Sequence, residues 1–371
     1  MNLREYYKYG YYTGGPFNRP TRSKVEAIEW CSPHQSWPTW NFHDDDFSNH
    51  DWIHPPTETF EQLYQTRAKQ LREKYDYVIV QYSGGVDSHN MLMSFLSQGI
   101  IPDEVQFFYY GFCEDKNILG VEWKLQTQPK LAKLQHQYPG LKIRKIDLTD
   151  YAVDFIQTVD GDEIYQFKGR YPIRINPSIR CRLTSLVPDY RRLKDQGKSI
   201  RILLGMDKPR LRYHNKRFIF NFYDVIHDEN IETAETNDHE WFYWHPDAAK
   251  ILIKQAHVVK KFWSLHQPDW AKMHCHYDAV LGWILNHNND HVYRLIYPWH
   301  NNDLYLPASV KAWQGSIGPR DIEFLTSNFD AATKYIQSTS AILHSIDPMY
   351  FNNQDPDQGL ISSISRDYLL D

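Results

Sequence analysis

Six consecutive residues, Ser83-Gly84-Gly85-Val86-Asp87-Ser88, set two permissive backbone positions, two hydroxyls and a carboxylate side by side. They follow Tyr77-Val78-Ile79-Val80-Gln81-Tyr82, an apolar, β-branched run that reads as a buried parallel strand. They lead into a helix expected to open at Ser88, with Met91, Leu92 and Phe95 on one stripe and Gly99 at its end. The glycines let the chain turn sharply and expose amide N–H groups. The helix start adds unsatisfied donors and a partial positive charge. Together these make an anion site built mostly from main chain, suited to phosphate.

The strand, loop and helix resemble the PP-loop of the N-type ATP pyrophosphatases, whose signature is S-G-G-x-D-S and which all six positions match. That family includes GMP, NAD and asparagine synthetases and several tRNA-modifying enzymes. The resemblance covers residues 75 to 210, roughly, and implies an α/β core: a Rossmann-like (HUP-type), three-layer parallel sheet. It implies ATP and Mg²⁺ as cofactors, with the β and γ phosphates in Ser83–Ser88 and the adenine near Tyr109 to Gly111, including Tyr110. It further implies cleavage of ATP to AMP and pyrophosphate. AMP would pass to a carbonyl, carboxyl or amide oxygen and be displaced by a nitrogen or sulfur nucleophile.

A second cluster falls at the end of another apolar run, Ile200 to Leu204, in Gly205-Met206-Asp207-Lys208-Pro209-Arg210. Triphosphate cleavage needs a divalent cation and charge compensation on the leaving pyrophosphate. The expected catalytic set is therefore Asp87, Asp207 and Lys208, with Asp87 and Asp207 as metal ligands and Gly205 beside the nucleotide. Arg180 and Arg182, in Asn176-Pro177-Ser178-Ile179-Arg180-Cys181-Arg182, join Arg210 as candidate substrate-binding groups, because guanidinium binds phosphate or carboxylate through paired donors.

Other motifs carry less. Gly197-Lys198-Ser199 ends like a Walker A loop, but the first glycine of that motif would fall on Arg192, and the tripeptide precedes a strand instead of following one. His274, Cys275, His276, His287 and His291 match no standard zinc spacing, and Asp44-Asp45-Asp46 with Asp51 lacks the glycine and glutamate of a calcium loop. Cys31, Cys113, Cys181 and Cys275 lie far apart without C-x-x-C pairing, so reduced thiols are expected. Cys113 and Cys181 keep a sulfurtransferase open as an alternative to an amide or amidine ligase. A sensor that binds nucleotide without turnover is a third reading.

These residues sit in a chain of 371 residues that is 42% hydrophobic, 23% charged and 15% aromatic, a globular composition. No run approaches a membrane span and the N-terminus lacks an apolar signal region, so a cytoplasmic, non-membrane protein is expected. The net charge is −5, yet Lys168 to Arg217 holds fifteen lysines and arginines against Asp189, Asp195 and Asp207. Such segregation suggests a polyanion site, with nucleic acid as one candidate partner and a small-molecule or nucleotide acceptor as another. A homo-oligomer is compatible with the sequence.

The positioning elements divide into three regions. Residues 1–58 form an aromatic, Pro-rich arm expected to be irregular and packed on the body; 59–225 form the PP-loop core; 226–371 form a mostly helical substrate or partner region. Helices are expected over Thr59–Lys74, Val121–Gln137, Leu183–Gln196 and Pro246–His266, and strands over Glu104–Tyr109, Leu141–Ile146 and Ile200–Leu204. A hairpin is expected over Arg210–Tyr223, and Asp224–Asp247 reads as an acidic connector. Residue 2 is Asn2, not the nucleophilic cysteine of a glutaminase domain, so transferred nitrogen would come from ammonia, another amine or a separate subunit.

Overall fold

The computed structural model describes residues 11–14, 19–21, 24–109, 122–147, 149–150, 154, 157, 187–205, 211–214, 217–223, 238–266, 289–300, 326–351, 360–361 and 363–371. The arm is ordered in short pieces where the sequence suggests irregular chain. Strands β1 (Tyr12–Gly14), β2 (Arg19–Thr21) and β3 (Thr39–Trp40) pair antiparallel in the order β2-β1-β3, with helix α1 (Lys24–Cys31) beside β1 and α2 (Asp44–Phe47) after them. Strands of two or three residues are too short for an alternating pattern to be visible. Trp52 stacks on Phe220 with centroids 5.0 Å apart, and Phe47 lies 4.4 Å from Phe222, which buries the arm's rings against a hairpin of the body.

Helix α3 (Phe60–Lys74) opens on a capping box: Thr59 Oγ1 accepts from the Gln62 amide at 3.2 Å, and the Thr59 amide donates to Gln62 Oε1 at 2.8 Å. Strand β4 (Tyr77–Gln81) follows, then helix α4 (Val86–Leu96), β5 (Glu104–Tyr109), a π-helical turn (Glu122–Thr127) running into α5 (Gln128–Gln137), and β6 (Ile143–Asp147). Helix α6 (Pro188–Asp195) and β7 (Ile200–Leu204) precede the expected hairpin, β8 (Leu211–His214) with β9 (Arg217–Phe220). Next come β10 (His239–Trp241), α7 (Ala249–His266), α8 (Asn289–Ile296), α9 (Asp330–His344) and β11 (Tyr368–Leu369), which pairs with β9. Helix α4 thus begins two residues before Ser88.

Five strands, all parallel to their neighbours, form the central sheet in the order β10-β7-β4-β5-β6. Taken in chain order these five run 3-2-1-4-5 across the sheet, a doubly wound arrangement whose direction reverses between β4 and β7. The fifth strand corrects the reading of Asp224–Asp247 as a connector, since residues 239–241 pair with β7 in the central sheet. His239-Glu240-Trp241 is too short and too polar to announce a buried strand.

The two faces of the sheet differ. On one, Val78, Val80, Val105 and Leu203 are buried with Leu71 of α3 and Leu92 and Phe95 of α4. Each such side chain contributes about 2 kcal/mol by leaving water. On the other, Glu104 and Gln106 are fully buried polar groups. Gln106 Nε2 donates to Tyr190 OH of α6 at 2.7 Å, and that hydroxyl donates to Glu104. Lys142 Nζ at 3.0 Å compensates the Glu104 charge.

Candidate nucleotide site at the switch point

The loop between β4 and α4 opens beyond the carboxyl edge of the sheet, at the place where strand order reverses. Gly84 turns it with φ +77°, a conformation that non-glycine residues rarely adopt. Gly85 caps α4 in an extended conformation, and Ser83 is exposed at the rim. Ser88 closes the loop from inside: its hydroxyl accepts from the Ser83 amide and donates to the Gly85 carbonyl, both at 3.2 Å. From the neighbouring strand, Gly205 presses directly on the start of α4. A Cβ there would lie 3.2 Å from the Asp87 carbonyl oxygen and from Ser88 Cα. At Gly205 a Cβ would crowd main chain, and at Gly84 the positive φ adds to close contacts with Gln126 Cγ and the Thr127 main chain.

The outer side of the loop is held by residues that the sequence does not advertise. Thr127 Oγ1 donates to the Ser83 carbonyl at 2.8 Å, while Gln126 Nε2 and Lys130 Nζ both donate to the Gly84 carbonyl at 2.8 Å. That carbonyl shares its peptide group with the Gly85 N–H, so the two donors polarise the amide toward stronger donation. Lys130 also sets a positive charge against the loop. All three come from the π-helical turn and the first turn of α5.

Asp87, in the first turn of α4, is held at two points. Tyr297 OH donates to Asp87 Oδ1 at 2.5 Å, and Tyr243 OH donates to the Asp87 carbonyl oxygen at 2.8 Å. Tyr243 in turn accepts from Asn90 Nδ2 at 3.0 Å. Tyr64 OH donates to the Ile296 carbonyl at 2.8 Å, which fixes the end of α8 from which Tyr297 projects. Burial pushes all three phenols well above their ordinary range, so they remain neutral donors. On the other side of the loop, Tyr82 OH and His89 Nδ1 are 3.0 Å apart. Burial, with Lys130 and His300 nearby, brings the His89 pKa down to about 4.

Ser83, Gly84, Gly85, Val86, Asp87, Ser88 and Gly205 therefore converge as the sequence anticipates. Tyr110, Gly111, Arg180, Arg182, Asp207, Lys208 and Arg210 lie outside the described residues. Among the described residues no group of three or more His, Cys, Asp or Glu side chains could hold a metal ion unaided. Mg²⁺ needs only one or two protein carboxylates when phosphate oxygens and water complete its shell, and the partly exposed Asp87 beside the loop fits that donor set. Of the cysteines, Cys31 is buried in the arm, and Cys113, Cys181 and Cys275 lie outside the described residues.

Among the described residues of the basic stretch, several basic side chains are paired with acids. Arg192 pairs with Asp189 at 2.5 Å, Lys198 with Asp76 at 3.9 Å and Arg201 with Glu240 at 3.7 Å. Lys194 pairs with Asp238, and Arg212 with Asp367. Asp76, Asp238, Glu240 and Asp367 all come from outside the stretch. A separate cleft of about 750 Å³ lies between α2, α3 and the start of α7, lined in part by His43, Arg67, Trp241 and His245. No described helix is long and apolar enough to cross a membrane. No protein-family model matches the chain, and no curated protein matches it.

Proposed function

We propose that the protein is an ATP-dependent adenylating enzyme that releases AMP and pyrophosphate and completes an amide or amidine bond with a nitrogen nucleophile. The observation that carries this reading is the Ser83–Ser88 loop itself. It is a glycine-turned, helix-opening anion cradle at the switch point of a parallel sheet, backed by the Gly205 main chain. In this reading the Gly85 amide and neighbouring N–H groups receive the β and γ phosphates. Lys130 adds positive charge from α5, and Asp87 supplies one oxygen to the Mg²⁺ that accompanies ATP. Asp207 and Lys208 follow Gly205 by two and three residues and serve the departing pyrophosphate. An acceptor oxygen attacks the α phosphorus, the bond to the β-phosphate oxygen breaks, and pyrophosphate leaves. The nitrogen nucleophile then displaces AMP.

Product analysis on α-labelled and γ-labelled ATP with Mg²⁺ tests this, using wild type and Asp87→Ala with ammonium, nucleic acid and cell extract added separately. AMP and pyrophosphate, stimulated by one addition and lost in the variant, are the expected products. Formation of ADP and phosphate, or binding without turnover in every mixture, overturns the reading.

A further inference from the structure

Asp87 is gripped by two phenols from a single buried cluster. Tyr297 reaches its carboxylate at 2.5 Å and Tyr243 its main-chain oxygen at 2.8 Å. The rings cannot follow a wandering carboxylate. Tyr64 and Tyr243 are fully buried and Tyr297 nearly so; Tyr297 lies 5.8 Å from Tyr243, 6.2 Å from Tyr64 and 6.1 Å from Tyr293 between ring centroids. A surface aspartate in the first turn of a helix samples several rotamers, and binding a cation through it then carries an ordering cost. A fixed hydroxyl on Oδ1 selects one rotamer beforehand. Outer-shell donors of this kind orient metal-binding carboxylates, and their loss weakens metal affinity.

We infer that Tyr297 is a positioning residue that presents Asp87 to the divalent cation bound with ATP. The inference rests on the proposed function above and adds a residue 210 positions away in the sequence. It also gives the region around α8 a role at the loop: Tyr297 directly follows α8 and Tyr64 holds the Ile296 carbonyl. Tyr243 serves as the internal contrast, since its hydroxyl holds main chain and not the carboxylate.

The test is calorimetric binding of α,β-methylene ATP, which cannot be cleaved at the α–β bridge. It is run with Mg²⁺ titrated from zero, on wild type, Tyr297→Phe and Tyr243→Phe. Tyr297→Phe should raise the Mg²⁺ concentration for half-maximal enhancement of binding by about tenfold. Its binding without Mg²⁺ should equal wild type. Tyr243→Phe should lower the urea midpoint while leaving the Mg²⁺ requirement unchanged. On an Asp87→Asn background Tyr297→Phe should have no further effect on Mg²⁺, as expected of two groups acting through one contact. An unchanged Mg²⁺ requirement in Tyr297→Phe, or the same shift in both phenylalanine variants, reduces Tyr297 to a packing role and overturns the inference alone. Absence of analogue binding by wild type, with or without Mg²⁺, overturns both the inference and the function beneath it.

Discussion

Two carboxylates, Glu240 and Asp87, are held by the same fold in opposite ways. Glu240, on the outermost strand β10, is fully buried, with Arg67 Nη2 at 2.6 Å, Arg201 Nε at 3.7 Å, Lys74 Nζ at 3.8 Å and the Tyr75 hydroxyl on it. Burial alone would raise its pKa, but the Arg67 guanidinium, joined by His245, the Tyr75 hydroxyl and Lys74, outweighs burial and holds the carboxyl down at about 2. Asp87 is partly exposed and receives the neutral phenol of Tyr297. A guanidinium orients a carboxylate and brings a countercharge with it; a neutral phenol orients a carboxylate through a hydrogen bond alone. The first arrangement joins α3 to the sheet. The second matches the role proposed for Asp87, which is to meet a cation arriving with a ligand.

The largest expected effect comes from breaking the ion pair. Arg67→Met leaves Glu240 buried with its nearest cation gone, and should destabilise the protein by about 3–5 kcal/mol. Urea unfolding at pH 7 measures this, while affinity for α,β-methylene ATP in the folded variant should stay within about twofold of wild type. If stability is kept and nucleotide affinity falls instead, the division of labour between the two carboxylates is wrong.

Acid should next expose a neutral base beside the loop. His89 titrates near 6.5 when unfolded and at about 4 when folded, facing Tyr82, Lys130 and His300. Between these values the unfolded chain binds the proton more readily. The stabilisation is therefore complete above pH 6.5 and is lost as pH falls toward 4. A shift of that size corresponds to roughly 3 kcal/mol. His245, also lowered to about 4 by burial and Arg67, contributes over the same window. Urea midpoints from pH 7 to 4 should decline steeply in wild type and distinctly less in His89→Gln. Superimposable profiles would mean that His89 takes up its proton equally readily in the folded and unfolded chain. The Glu240 contribution is separable, since its depressed pKa places the loss lower, between pH 4.5 and about 2.

The loop was legible in the sequence because everything that defines it is local. An apolar strand, two glycines and an amphipathic helix occur within twenty-odd residues, and their order fixes the turn and the direction of its amides. Gly205 was legible for a related reason, as the first residue after a second core strand. Its support was not. Tyr297 is one of 26 tyrosines and meets Asp87 only through the packing of α8 against distant elements, and no periodicity marks that contact. Lys130 looks like any charged residue on an amphipathic helix until its ammonium is seen on the Gly84 carbonyl. The described part of the basic stretch shows the converse: Lys198, Lys194 and Arg212, neighbours along the chain, take partners in Asp76, Asp238 and Asp367 from elsewhere in the fold. Strand β10 escapes notice because three residues cannot show a period.

A pair of glycines sharpens the distinction between a residue that merely supports the fold and one that shapes the site. Gly84 and Gly99 share φ +77°, so alanine at either position carries the same left-handed penalty, about 1 kcal/mol. Their surroundings differ. A Cβ at Gly99 meets nothing within 4 Å, whereas one at Gly84 would lie 3.0 Å from Gln126 Cγ and 3.2 Å from Thr127 Cα. The Thr127 main chain cannot yield as a flexible side-chain tip would, so Gly84→Ala must displace the turn that clamps the Ser83 and Gly84 carbonyls. Both variants should unfold at slightly lower urea concentration. Only Gly84→Ala should lose binding of α,β-methylene ATP, because the amides proposed to receive the phosphates move with those carbonyls. Equal retention of binding in the two variants would show that the loop tolerates displacement of its outer clamp, and would leave Asp87 and Gly205 to define the site.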